Sequence, residues 1–133
     1  MLGLRHQGVE TAEQAGLLGR ADSDHFAYCW RSGKIMVTHD FDFYNYKNPE
    51  LPDTRNPGVV VLDCDSGNTE GIEKILDFLP ILADLIGERG WRHTRTVVSP
   101  SGRVRLRRRN RNSGRYQIEH FRLTSRGFVT DTR

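Results

Sequence analysis

Two carboxylates stand in the stretch IMVTHDFDFYN, residues 35–45, directly after an apolar run. Asp40 and Asp42 are separated by a single residue. Unpaired carboxylates that close repel each other, and a divalent cation removes the repulsion. Mg²⁺ and Mn²⁺ prefer oxygen ligands, often one or two carboxylates completed by water and phosphate oxygens. Such an ion would polarise a phosphodiester and generate hydroxide from bound water. The D-x-D spacing has a plainer use as well, with Asp40 or Asp42 capping the free amides of a helix start. Spacing alone is weak evidence for metal, and capping is its commoner role.

Arginine provides the second chemical signal. Residues 89–133 carry thirteen Arg against two acids, Glu119 and Asp131. In GRVRLRRR, Val104 and Leu106 alternate with Arg103, Arg105 and Arg107, the pattern of a strand with one apolar and one charged face. Arg107, Arg108, Arg109 and Arg111 form the densest group. The planar guanidinium donates two hydrogen bonds at once to phosphate. The expectation is an RNA-backbone track with salt-dependent, sequence-blind attraction. Two other readings stand beside it: an anionic protein partner, or an edge strand blunted by charge against aggregation. Tyr116 and Phe121 have rings that can stack on bases, although each type is more often core.

The charge is unevenly spread. Residues 1–66 hold six Lys/Arg against ten Asp/Glu, and residues 67–133 hold fourteen against seven. An acidic first half thus precedes a basic second half, within a net charge of +3. That division suits a polyanion partner for the second half.

These residues need elements to position them. ADSDHFAYCWRSG (21–33) predicts a helix, capped by Asp22 or Ser23, with Phe26 and Trp30 on one face and Gly33 as its stop. KIMVT (34–38) and GVVVLDC (58–64) read as buried strands of a sheet covered on both faces. NYKNPELPDTRNP (45–57) is a polar loop, and GVETAEQAG (8–16) is a strand or a turn. Asn68 or Thr69 opens a helix whose apolar residues run from Ile72 to Ile86, with Pro80 kinking or dividing it and Gly87 ending it. Farther on, SPSG and RNSG separate strand-like runs at about 91–98, 103–109 and 115–123, an antiparallel meander.

The predicted class is α/β, a mostly parallel sheet flanked by helices with the meander at its C-terminal end. Residues 1–90 form the α/β core, and residues 91–133 pack on the core sheet or extend it. Ligands gather at the carboxyl ends of parallel strands, and Asp40 and Asp42 lie just beyond one such end. With 133 residues, 36% hydrophobic and 28% charged, the chain is the size of one rather polar domain. No run approaches the roughly 18 apolar residues of a membrane span. The opening MLGLRHQGVE lacks the apolar segment of a signal peptide. Cys29 and Cys64, outside any C-x-x-C pair, read as reduced thiols of a cytoplasmic protein.

Residues 4–62 resemble the PIN-domain-like nucleases, in particular the small stand-alone, toxin-like branch. The resemblance rests on DSD opening a helix, VTHDFDF closing a strand and PGVVVL forming the next, in order and in approximate spacing. GRVRLRR is similar, more weakly, to the closing strand of such proteins. The resemblance implies a metal-dependent ribonuclease. Asp24 matches the acidic ligand borne on the helix, and Asp40 and Asp42 match the strand-end pair. Together they are the implied catalytic and Mg²⁺- or Mn²⁺-binding residues. Thr38 matches a hydroxyl position that orients a carboxylate or a water. Arg105, Arg107, Arg108, Arg109 and Arg111 are the candidate substrate-binding residues. His39 is expected in an exposed loop, and Phe43 in packing beneath it. Proteins of this branch are commonly toxins restrained by a partner, so an acidic antitoxin is an implied partner.

One departure is large. Such nucleases normally begin with a central strand ending in an acid, and no residue here matches that acid. Met1 falls where the following helix would end. This fits a start assigned too late, a shortened chain, a degenerate member, or a gap filled by another chain or by the meander. Weak metal binding and open sheet edges are expected, and open edges favour a homodimer. The alternative to the nuclease is a non-catalytic nucleic-acid or protein-binding module on the same scaffold.

Overall fold

A computed structural model describes residues 16–45, 47–87, 90–109 and 112–130. Six strands form one sheet: β1 (Met36–Thr38), β2 (Val59–Leu62), β3 (Thr94–Val98), β4 (Arg103–Arg109), β5 (Tyr116–Thr124) and β6 (Gly127–Thr130). Their spatial order follows the chain, β1-β2-β3-β4-β5-β6. β1, β2 and β3 are parallel, and the pairs from β3 to β6 are antiparallel. The fold is therefore α/β with an open, half-parallel sheet. The meander extends the core sheet through β3, which pairs with β2, and β6 adds a strand beyond the three predicted.

Helix α1 (Asp22–Ser32) lies where its pattern predicts, but Ala21 is its N-cap, without a side-chain bond. Asp22 and Ser23 lie inside the first turn instead, where Asp22 and Asp24 face the positive end of the helix dipole. Gly33 ends α1 in the left-handed conformation, φ 66°. At α2 (Thr69–Asp77), the Asn68 side chain accepts from the Gly71 amide at 2.9 Å. Pro80 sits in the first turn of α3 (Leu79–Ile86), so the predicted break is complete and two helices result.

Alternation along the strands sorts the side chains onto two faces. On one face Val60, Leu62, Val98, Val104, Leu106, Phe121 and Leu123 pack beneath α2 and α3 through Ile75, Leu82 and Ile86. On the other, Met36, Val59, Val61 and Val97 meet Phe26 of α1 and Phe43, Tyr44 and Leu51 of the loop after β1. The central β2, VVVL, is buried throughout, as a strand covered on both sides must be. β1 departs from that expectation. It has three residues, it is an edge strand of the described sheet, as β6 is at the other side, and Val37 is 39% exposed.

The second cover does not reach the whole sheet. It ends at Tyr44, whose ring lies under the guanidinium groups of Arg105 (4.9 Å) and Arg107 (4.2 Å). Past that point this face of β4, β5 and β6 is bare among the described residues.

Candidate nucleic-acid interface

The predicted acids come first. Asp40 follows β1 as expected, and its Oδ1 accepts from the Asp42 amide at 2.9 Å, capping the 3-10 turn Phe41–Tyr44. The Thr38 hydroxyl accepts from the Asp40 amide at 3.1 Å. This local chemistry is the capping use of D-x-D. Asp24 is exposed in the first turn of α1. Among the described residues no group of three or more His, Cys, Asp or Glu side chains is gathered as a metal site. Phe43 is 2% exposed and stacks on Phe26, as its packing role predicts.

The carboxyl ends of β1 and β2 border a cleft of about 620 Å³ lined by His39, Phe41, Asp63, Cys64, Asp65 and neighbours. His39 is half-buried there and donates through Nδ1 to the Cys64 carbonyl at 3.0 Å. Burial first, and then Asp63 and Asp65, push the Cys64 thiol above its ordinary range. Cys64 is thereby held as a thiol, the unreactive form.

Two arginines of adjacent strands show how position divides one residue type. Arg95 on β3 is 1% exposed. Its Nε and Nη2 donate to Asp53 Oδ1 at 3.2 and 3.1 Å, Nη1 to the Phe43 carbonyl at 2.7 Å, and Nη2 to the Leu51 carbonyl at 2.6 Å. Asp53 Oδ2 accepts in addition from the Tyr116 hydroxyl. Burial pulls the Arg95 guanidinium down from its usual value, and the Asp53 carboxylate opposes that pull. This cluster stitches the 45–57 segment onto β3 and β5. Arg107, paired with Arg95 across the ladder, is half-buried and donates to the Tyr44 carbonyl at 2.9 Å.

Beyond Arg107 the same face opens to solvent. β4 presents Arg103, Arg105 and Arg109 there, all exposed. In register with them on β5 stand Arg122, His120 and Tyr116, while Ile118 pairs with Arg107 and Val129 of β6 pairs with Arg122. Arg103 stands directly opposite Arg122, a like-charge pair that works against folding. None of Arg103, Arg105, Arg109 and Arg122 has a carboxylate within ion-pair distance among the described residues. Arg108 points to the opposite face, where it donates to the Ile86 carbonyl at 3.3 Å. The predicted track is thus divided between two faces, and Arg111 lies outside the described residues.

Sequence reasoning found the β4 arginines and missed what surrounds them. Arg122, Ile118, His120 and Val129 join the face only through strand register. The alternation at 116–122 carries that signal, but its inward and outward residues are of mixed polarity. Of the two rings able to stack on bases but more often core, Phe121 is core, 8% exposed and edge-on to Phe128, and Tyr116 is tied to Asp53. No protein-family model matches the chain, and neither does any curated protein or solved structure.

Proposed function

We propose that this chain binds nucleic acid, RNA foremost, through the uncovered face of β4, β5 and β6. One observation carries the reading: four exposed arginines share that face, and among the described residues no carboxylate pairs with them. Cations left unneutralised side by side are stabilised by a polyanion, which releases its own counterions on binding. The experiment is fluorescence anisotropy of a labelled single-stranded RNA, titrated with protein over a salt series. Binding whose logarithm falls linearly with log salt supports the reading. Loss of that slope in the Arg103→Ala/Arg109→Ala/Arg122→Ala variant assigns it to this face. No binding at low salt refutes the proposal.

A second reading keeps the PIN-like resemblance whole, as a Mg²⁺- or Mn²⁺-dependent toxin-like ribonuclease with an acidic antitoxin and a homodimeric form. The cleft at the carboxyl ends of β1 and β2 favours it, since ligands collect there in parallel sheets. Asp24, Asp40 and Asp42 would be the carboxylates that hold the ion in this reading. Asp40→Asn decides this reading, since asparagine preserves the cap and removes the charge. Mn²⁺-dependent RNA cleavage abolished in that variant supports it. Cleavage absent from the unaltered protein, or unchanged by the substitution, removes Asp40 from any mechanism.

A further inference from the structure

The open face is not uniformly charged. Ile118 and Val129 are 49% and 57% exposed within it, and His120 is half-buried beside them. Register surrounds this apolar and aromatic strip with guanidinium groups: Arg105 opposite His120, Arg107 opposite Ile118, and Arg122 between Arg103 and Val129. From this juxtaposition, and resting on the nucleic-acid reading above, we infer that the face takes unpaired bases: a single strand lays its bases on Ile118, His120 and Val129 while Arg103, Arg105 and Arg109 hold its phosphates.

Two physical points separate this occupant from a duplex. A duplex offers a flat binder only its backbone, and phosphates seated over Ile118 and Val129 would lose water with no hydrogen-bond donor to replace it. Base edges of a B-DNA duplex are read mainly from the major groove, which is about 12 Å wide and admits a helix or a two-stranded ribbon, and the major groove of an RNA duplex is narrower still. The open face spans three strands at about 4.8 Å spacing, with arginines projecting from it, and is too broad to enter. A single strand has no such restriction, since its bases turn outward and every base has an apolar flat surface. Charge complementarity also favours the strand over an apolar peptide, because the rim is cationic on β4 and on β5.

The test compares three labelled probes at one salt concentration: oligo(U) RNA, oligo(dT) DNA and an RNA duplex of equal length. The variant is Ile118→Thr/His120→Thr, which places a β-branched residue of good strand propensity at both positions and removes no arginine. Both single strands are expected to bind at least tenfold more tightly than the duplex. The variant is expected to lose at least about fivefold for single strands, the lower end for one stacked base, with its salt slope and duplex affinity unchanged. Circular dichroism melting shows that the variant is folded, and should its melting fall, Ile118→Val with His120 intact repeats the comparison and still predicts a smaller loss confined to single strands. Tighter RNA than DNA binding adds a 2′-hydroxyl interaction, and equal binding leaves stacking and phosphate pairing as the whole interaction; either supports the inference. Equal affinity for duplex and single strand, or an unaffected variant, overturns it while leaving the nucleic-acid reading intact. Binding of none of the probes, with capture of polyglutamate instead, overturns both and makes the face a dock for acidic protein.

Discussion

Arg95 and Arg103 lie on adjacent strands of one sheet, on the same face, yet have opposite fates. Over β1 to β3, the α1 helix and the 41–55 segment cover the face, and Arg95 is sealed beneath them with four donated bonds. Over β4 to β6 the described cover reaches only Tyr44, beside Arg105 and Arg107, and Asp53, beside Tyr116, and Arg103 faces Arg122 in water. A buried guanidinium is tolerable only when its donors are met, because desolvation otherwise exceeds the Coulomb gain. An exposed one incurs little desolvation and stays available. Composition treats all the arginines alike; the cover sorts them into structural and binding groups.

The contrast can be broken first at Asp53. Asp53→Ala leaves Arg95 buried without its carboxylate, and a loss of about 3–5 kcal/mol in urea unfolding is expected. A loss below about 1 kcal/mol would show that Arg95 needs no partner and that the two halves do not differ in kind. Tyr116→Phe is a gentler cut, removing one donor to the same carboxylate, with an expected cost of about 1–3 kcal/mol. Gly102 sharpens the comparison elsewhere, at the β3–β4 turn. Its φ is 90°, its carbonyl accepts from the Leu123 amide at 2.7 Å, and an added Cβ would strike the Leu123 carbonyl. Gly102→Ala is expected to cost more than about 1 kcal/mol by thermal melting, although the site is far from the buried pair. At the small end, Arg103→Ala/Arg109→Ala/Arg122→Ala should shift stability by no more than about 0.5 kcal/mol per residue. Its effect belongs to binding, where the slope of log affinity against log salt should fall by about 0.7 for each phosphate left without its arginine. Destabilisation as large as that of Asp53→Ala would show these arginines to be structural after all.

Local signals carried much of the fold. Gly33, Asn68 and Pro80 act on their immediate neighbours, so their roles as stop, cap and divider could be read directly. β2 was legible because four successive buried residues leave few alternatives. What failed to show was non-local. Nothing near Asp53 announces that Arg95, forty-two residues on, reaches back to it; the NPELPDTRNP stretch reads as a plain polar loop. The same limit applies at the candidate site. D-x-D after a strand fits a cap more often than a metal ligand in sequence, and the Asp42 amide bonded to Asp40 shows the cap formed. The β4 arginines were visible, whereas Arg108 facing the helices and Arg122 joining the open face depend on the pairing of β4 with β5.

The Tyr116 hydroxyl fastened to Asp53 has a consequence for recognition. It fixes the first residue of β5 to the buried, arginine-paired Asp53 carboxylate, at one rim of the exposed surface. A ligand arriving there meets a platform already rigid at that end, so less conformational entropy is surrendered on association. Loosening that bolt should slow no encounter but shorten the lifetime of the complex, so damage to the interior would register as faster dissociation at a surface it never touches.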